Sequence, residues 1–208
     1  SPYLNEAMIM VEEGVKIETV DKIFKSLGFP VGPFVLMDEV GIDVGALVMS
    51  GDLMKMVEQR GNIRVCKALM HMFKDGRSGR KNKKGFYLYK KNGKRKGVDP
   101  SVYNYFKGNN KKTLQQKDIL NRGLMIMLNE ATLCLEENVI SSAADGDLGA
   151  IFGIGFLPFT GGPFRYMDSL GLNKVVATMK DLKNKFGKRF SPSSMLLHLA
   201  GSQQKFHP

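Results

Sequence analysis

Residues 28–41 read GFPVGPFVLMDEVG, and residues 155–171 read GFLPFTGGPFRYMDSLG. Both stretches contain Gly-Phe and then Gly-Pro-Phe, and in both an aspartate stands five residues after the proline of Gly-Pro-Phe. These aspartates are Asp38 and Asp168. Self-similarity of this kind indicates a repeated structural unit.

A second match, Asn-Glu-Ala, locates the beginning of each unit. It occurs at residues 5–7 and again at residues 129–131, and each time it opens an apolar stretch. We therefore predict two related units at residues 1–73 and 118–208, joined by a connector at residues 74–117.

Both units are predicted to be helical, because apolar residues recur in them at helical spacing. Pro33 and Pro163 suit the first position of a helix, since the fixed φ and missing N–H of proline are tolerated there. The helix that begins at Pro33 is expected to continue past Gly41 with one apolar face. That face is made of Phe34, Met37, Val40, Val44, Leu47 and Val48.

The charge of the chain is concentrated in the connector. The whole chain has a formal net charge of +11, whereas residues 74–117 hold 15 Lys/Arg and 2 Asp/Glu, so that 15 − 2 = +13 and the remainder sums to −2. Within the connector, the aromatic run at residues 85–89 predicts a short extended segment. The high pI therefore describes one segment and not the fold.

Composition favours a protein with an ordinary hydrophobic core. The chain has 208 residues, 43% of them hydrophobic, and 2 cysteines, Cys66 and Cys134. So few cysteines indicate a reducing compartment, and no apolar run is long enough to cross a bilayer. A soluble intracellular protein is expected.

The residues alone do not supply a complete active site. The three histidines include His207, in a tail expected to be disordered, and none belongs to a cluster with metal-ligand spacing. Residues 153–158 contain Gly-x-Gly but lack the third glycine and the preceding strand of a dinucleotide-binding motif. Asp38 and Asp168 fit either a structural hydrogen bond inside the repeat or a ligand contact, and the pattern does not separate the two.

Taken in order, the motifs resemble the C-terminal domain of 3-hydroxyacyl-CoA dehydrogenases. The first unit contributes Asn-Glu-Ala, residues 28–41, and GRKNKKGFY at residues 79–87. DGDLGAIFGIGF at residues 145–156 and GGPFR at residues 161–165 are similar to the alpha subunits of mitochondrial trifunctional fatty-acid oxidation enzymes. The resemblance covers essentially the whole chain.

The resemblance implies an all-α fold of two helical repeats, like the C-terminal domain of 6-phosphogluconate dehydrogenase, packed as a pseudo-dimer. It further implies a fragment of a multifunctional β-oxidation enzyme that also carries an enoyl-CoA hydratase domain and an NAD-binding Rossmann domain. The catalytic residues belong to that Rossmann domain, so the chain by itself is expected to bind no cofactor and to be inactive. Expected partners are acyl-CoA, the Rossmann domain, a thiolase beta subunit and anionic inner-membrane lipid, in the mitochondrial matrix.

Carried over by position, the resemblance implies a substrate-binding loop in the second unit. Its members are Phe152, Gly153, Gly155, Phe156 and Pro158. The family has a substrate-contacting tyrosine where this chain has Phe152, so this ring can pack against an acyl chain but cannot donate a hydrogen bond. Asp38, Asp168, Pro33 and Pro163 are assigned structural roles in the repeat.

The basic turn has several competing interpretations. Arg80, Lys81, Lys83 and Lys84 are expected to contact phosphates of CoA or of anionic lipid. An alternative is a non-catalytic oligomerisation module that binds anionic lipid or nucleic acid through this segment, although nucleic acid is the less favoured partner. A third interpretation is a solvated linker without a ligand.

Overall fold

A computed structural model describes residues 1–61, 63–106 and 113–207. The chain divides into two compact units, Ser1–Leu120 and Asn121–Pro208. Helices dominate both, which confirms the predicted all-α class with a short extended segment. Over the described ranges, no helix is both long enough and apolar enough to cross a membrane.

Unit 1 is a set of short helices followed by a hairpin. The helices are α1 (Pro2–Glu12), α2 (Ile17–Leu27), α3 (Pro33–Val40), α4 (Ile42–Ser50), α5 (Asp52–Gly61) and α6 (Ala68–Lys74). The strands are β1 (Tyr87–Tyr89) and β2 (Arg95–Val98), which pair antiparallel, and 3-10 turns lie at Arg80–Asn82 and Pro100–Tyr105.

Unit 2 repeats the order of the helices of unit 1. It contains α7 (Gln116–Glu136) from Asn121 onward, then α8 (Ala143–Ile154), α9 (Pro163–Leu170), α10 (Leu172–Phe186) and α11 (Ser194–Gly201). Short 3-10 turns lie at Pro158–Thr160 and Lys188–Phe190. By sequence register, α7 to α10 correspond to α1 to α4, and α11 corresponds to α6.

One asparagine in the first helix of each unit fixes the segment that precedes its last helix. In unit 1 the Asn5 side chain accepts a hydrogen bond from the Cys66 N–H (2.8 Å) and donates one to the Arg64 carbonyl (2.9 Å). In unit 2 the Asn129 side chain accepts from the Ser193 N–H (2.9 Å) and donates to the Ser191 carbonyl (3.0 Å). Because both asparagines are buried, these bonds satisfy backbone groups that water does not reach.

The predicted long helix after Pro33 is wrong, because Gly41 separates two helices. Gly41 has φ +112°, which ends α3 and begins α4 in a new direction. As a result only part of the expected apolar face is buried: Phe34 and Met37 lie in the core, whereas Val40 is 50% and Leu47 73% exposed.

The chain is divided at a different point from the predicted one. The division falls after Leu120, so residues 74–106 of the expected connector lie in unit 1. They contribute core side chains, because Phe86, Tyr87 and Val102 are buried. Residues 107–112, also in the expected connector, lie outside the described residues. The described part of the connector is therefore more than a solvated linker.

Candidate functional site

Asp21 connects three elements of unit 1. Its carboxylate accepts hydrogen bonds from the backbone N–H groups of Phe34 (2.8 Å) and Val35 (3.3 Å) at the beginning of α3. It also accepts one from the Tyr87 hydroxyl (2.7 Å) on β1. Burial raises the pKa of Asp21. The carboxylate thus satisfies N–H groups that a helix leaves without partners at its first turn.

Asp38, in the last turn of α3, holds β1 in place. Its carboxylate accepts from the N–H groups of Phe86 (2.8 Å) and Tyr87 (2.9 Å), and from the Tyr89 hydroxyl (3.0 Å). Burial raises the pKa of Asp38 to about 6, against the opposing effect of these donors. Gly85 permits the approach, because a Cβ there would lie 1.9 Å from Asp38 Oδ1.

Unit 2 contains the same arrangement, built from Asp147 and Asp168. Asp147 accepts from the N–H groups of Phe164 (2.7 Å) and Arg165 (3.3 Å) at the beginning of α9. Asp168 accepts from the N–H groups of Phe206 (2.9 Å) and His207 (2.9 Å). The segment 205–207, which we call the strap, therefore occupies in unit 2 the place of residues 85–87 in unit 1.

Side chains reproduce the match between the strap and β1. The Phe34 and Phe86 rings lie 4.9 Å apart at 67°, and the Phe164 and Phe206 rings lie 4.9 Å apart at 67°. His207 Nε2 lies 2.7 Å from Asp147 Oδ2, the distance at which the Tyr87 hydroxyl donates to Asp21. The expectation that His207 is disordered is wrong, because three contacts anchor it and its neighbour.

These contacts support the structural interpretation of Asp38 and Asp168. Each carboxylate accepts hydrogen bonds from backbone N–H groups of its own unit and thereby holds the segment that closes the unit. The sequence analysis did not pair Asp21 with Asp147. The signal was present, since their spacing of 126 lies between the repeat spacings of 124 and 130.

The loop expected to contact substrate follows α8. Gly155 ends α8 with φ +68°, and the neighbouring side chains of Phe152, Ile154 and Phe159 are 84%, 70% and 71% exposed. Phe156 differs from the expectation, because it is 1% exposed and supports the loop from the core. Pro158 begins the 3-10 turn that follows, and Gly153 has open space around its Cα.

We call Leu148, Phe152, Ile154 and Phe159 the apolar rim. All four side chains are more than half exposed and lie on α8 or within five residues of its end. Singly exposed apolar residues are common, but four within twelve residues of the chain favour a surface that an apolar partner covers. The rim lies in unit 2, beside the predicted ligand loop.

The basic turn contains cations with an ion pair and cations for which the described part of the chain shows none. Arg80 forms an ion pair with Glu39, and Lys81 Nζ lies 2.8 and 2.9 Å from the two carboxylate oxygens of Asp43. Lys81 thereby holds the pKa of Asp43 below its usual range. Lys83 and Lys84 are exposed. Over the described part of the chain, no cluster of three or more metal-ligating side chains occurs.

Comparison with known proteins identifies the repeat. Residues 1–89 match the family model of the 3-hydroxyacyl-CoA dehydrogenase C-terminal domain. The first unit is therefore similar to the 3-hydroxyacyl-CoA dehydrogenase C-terminal domain up to Tyr89. The matched range includes β1 and the contacts that Asp21 and Asp38 make with it.

Relatives are similar to the chain over both units. The chain is 49% identical over all 208 residues to the fatty acid oxidation complex subunit alpha of two Vibrio cholerae strains, and it spans 29% of the length of each. The dehydrogenase part of multifunctional enzyme 1 from C. elegans shares the fold, with TM-score 0.64, 21% identity, and 95% of this chain and 45% of that chain covered. So does 3-hydroxybutyryl-CoA dehydrogenase from Escherichia coli, with TM-score 0.73, 18% identity, and 97% and 58% covered.

The comparisons overturn the expected localisation. The relatives that match over the whole chain are proteins of Vibrio cholerae, a bacterium, and bacteria have no mitochondria. The prediction of a mitochondrial matrix protein is therefore wrong. It followed from a resemblance to a mitochondrial enzyme group, whereas the whole chain is 49% identical to bacterial alpha subunits.

Proposed function

We propose that this chain is the acyl-binding and assembly part of an NAD-dependent 3-hydroxyacyl-CoA dehydrogenase within a fatty-acid oxidation complex. The observation that carries the proposal is the apolar rim of unit 2 beside a loop that resembles the substrate loop of the family. Exposed apolar side chains gain about 1.5–3 kcal/mol each when fully covered by an apolar group. An acyl chain lying across the rim supplies such a cover.

The chemistry of the proposed reaction belongs to the complete enzyme. There, NAD bound by a Rossmann domain accepts a hydride from C3 of the 3-hydroxyacyl group, and catalytic groups of that domain take the hydroxyl proton. The chain in hand contributes the rim and positions the acyl group. The name of the relatives, subunit alpha, supports an assembly with a second subunit, for which we propose a thiolase.

A common origin of the two units also belongs to this proposal. It is supported by the matched carboxylate contacts of Asp21 and Asp147, and by those of Asp38 and Asp168.

The rim is tested by Phe152→Ala in the full-length alpha subunit. We expect kcat/KM to fall more for long acyl-CoA substrates than for short ones, because only a long chain reaches the ring. Val139→Ala is the matched control, since Val139 is also exposed but precedes α8, whose 12 residues span about 18 Å. Equal losses at every chain length would contradict a role in acyl binding.

A second measurement tests the division of labour between domains. The purified chain, mixed with NAD and a 3-hydroxyacyl-CoA, is expected to produce no NADH, because the proposal places hydride transfer in another domain. NADH formation above the rate of a buffer blank would show that the chain holds a complete active site.

An anion-binding role of the basic turn is a second candidate function. It is favoured by Lys83 and Lys84, whose side chains are exposed while Arg80 and Lys81 are engaged by Glu39 and Asp43. We propose CoA or anionic lipid phosphates as the ligands. Alanine at Lys83 and Lys84 should weaken binding to CoA or to vesicles with anionic lipid and reduce its salt dependence, and unchanged binding would mean that these two lysines hold neither ligand.

A further inference from the structure

Unit 1 has an apolar cleft that the proposed function does not use. The cleft lies between α4 and α6 and has a volume of about 810 Å³. Its apolar lining includes Val44, Leu47 and Phe73, all of which are at least 40% exposed. We call it the α4–α6 cleft.

Unit 2 shows that the fold does not require these exposed apolar residues. The inward-facing positions of α4 and α10 are apolar and buried in both units, as Ile42 and Met49 and their counterparts Leu172 and Met179 show. The outward-facing positions differ in residue type between the units. At the register of 130, Val44, Leu47 and Val48 of unit 1 correspond to Lys174, Ala177 and Thr178 of unit 2. The apolar outer face is therefore a property of unit 1 alone.

Small residues form the floor of the cleft. Gly45 allows α6 to approach α4, because a Cβ at Gly45 would lie 2.6 Å from Leu69 Cδ2. Ala46 lines the cleft directly. Unit 2 has Val175 and Val176 at the same two positions, both buried. The substitution of small residues for two valines brings the helices together at one point and leaves space beside it.

The charges at the cleft are positive and separate. Lys67 and Lys74 line it and stand at the two ends of α6, about 10 Å apart by the rise of a helix. Across the described residues neither lysine has an ion pair. The one carboxylate of the lining, Asp43, is held by Lys81. An occupant with a single negative charge therefore finds one uncompensated ammonium at either end.

We propose that the α4–α6 cleft binds a fatty carboxylate, with its acyl chain on Val44, Leu47 and Phe73 and its carboxylate at Lys67 or Lys74. An apolar lining with a few polar groups, here Ser50 and His71 beside the two lysines, is the usual form of a site for a small amphiphilic ligand. Isolated lysines suit one carboxylate better than the several phosphates of CoA. The inference concerns unit 1 and needs no NAD, so it stands or fails separately from the proposed function.

The test titrates the purified chain with dodecanoate by calorimetry, below the concentration at which the acid forms micelles. Saturable binding of one dodecanoate per chain is expected. Leu47→Asp should weaken it by about tenfold or more, because a charge then lies on the apolar floor. Leu53→Asp is the matched control: Leu53 is also exposed, lies on α5 and is not part of the lining, so its variant should bind as the wild type does.

Two further arms test the head group. Replacing both Lys67 and Lys74 by Ala should weaken dodecanoate several-fold and leave the binding of dodecanol unchanged. The part of dodecanoyl-CoA binding that Leu47→Asp removes should be no tighter than dodecanoate binding, since acyl-CoA held at the apolar rim of unit 2 does not respond to that change.

The proposal is overturned if Leu47→Asp binds dodecanoate normally, if dodecanol and dodecanoate respond alike to the lysine variants, or if the dodecanoyl-CoA binding that Leu47→Asp removes is the tighter of the two. It is also overturned if the wild-type chain binds no dodecanoate, and in that case light scattering is used to look for a dimer that Leu47→Asp dissociates. That last result would identify the cleft as a protein interface. Circular dichroism of each variant confirms that the fold is intact.

Discussion

Phe206→Ala removes the ring that holds the strap of unit 2, and Phe86→Ala removes the corresponding ring of unit 1. Phe86 is fully buried and contacts two rings, Phe34 at 4.9 Å and Phe106 at 6.4 Å. Its loss should cost about 3–5 kcal/mol, the usual range for a buried Phe→Ala change. Phe206 is only partly buried, so about half of that range, roughly 1.5–2.5 kcal/mol, is expected for the second variant.

Hydrogen exchange measures the second loss locally. The N–H groups of Phe206 and His207 donate to Asp168, and they exchange only when the strap detaches. In Phe206→Ala both should exchange about ten- to fiftyfold faster, since each 1.4 kcal/mol is a factor of ten. Lys205→Ala, which changes an exposed neighbour, should leave the rates unaltered. Unchanged rates in Phe206→Ala, or a loss of stability equal to that of Phe86→Ala, would refute this account of the strap.

Three further predictions concern buried groups. Asp38 has a pKa of about 6 in the folded chain against 3.8 for the ordinary group, so between these values the folded state binds more protons than the unfolded state. The free energy of unfolding should therefore fall as the pH rises from about 4 to 6, and Asp38→Asn should flatten this slope in urea denaturation. An unchanged slope would assign the pH dependence to other groups. Gly45→Val should destabilise unit 1 by about 1–3 kcal/mol in thermal denaturation, because a Cβ at this position would lie 2.6 Å from Leu69 Cδ2 on α6. Unchanged stability would mean that α6 shifts away from α4 without cost. Asn5→Ala should cost about 2–4 kcal/mol in urea denaturation, because it strands the buried N–H of Cys66, and a loss below 1 kcal/mol would show that water replaces the amide.

Periodicity predicted the helices well, because burial on one face repeats every three to four residues. The starts of α3 and α9 were predicted from Pro33 and Pro163, because the fixed φ and missing N–H of proline favour the first position of a helix whatever the tertiary structure. The break at Gly41 was missed. Glycine inside an apolar periodic stretch fits either a helix with a close neighbour or a turn between two helices, and only tertiary packing separates the two.

The contacts of the acidic pairs were only partly accessible from sequence. The repeat identified Asp38 and Asp168 as equivalent, but their partners lie 38 to 49 residues away along the chain. The two closing segments, Phe86-Tyr87 and Phe206-His207, have only the phenylalanine in common and follow loops of different length. They also differ in the side chain that contacts the acid of the preceding helix, which is Tyr87 at Asp21 and His207 at Asp147. A match of one residue between two dipeptides does not differ from chance, so the sequence could not show that His207 corresponds to Tyr87. Only the structure showed this.

The different lengths of the loops before Phe86 and Phe206 have a practical meaning for protein engineering. Residues 75–85 connect α6 to Phe86, whereas residues 202–205 are enough to connect α11 to Phe206, and the ring reaches its pocket with the same geometry in both units. The longer loop is therefore an extension that the scaffold tolerates without moving its anchor. Foreign sequences, such as a tag or an epitope, can be grafted into unit 2 between Ser202 and Lys205, provided that the anchor residues at 206 and 207 are kept.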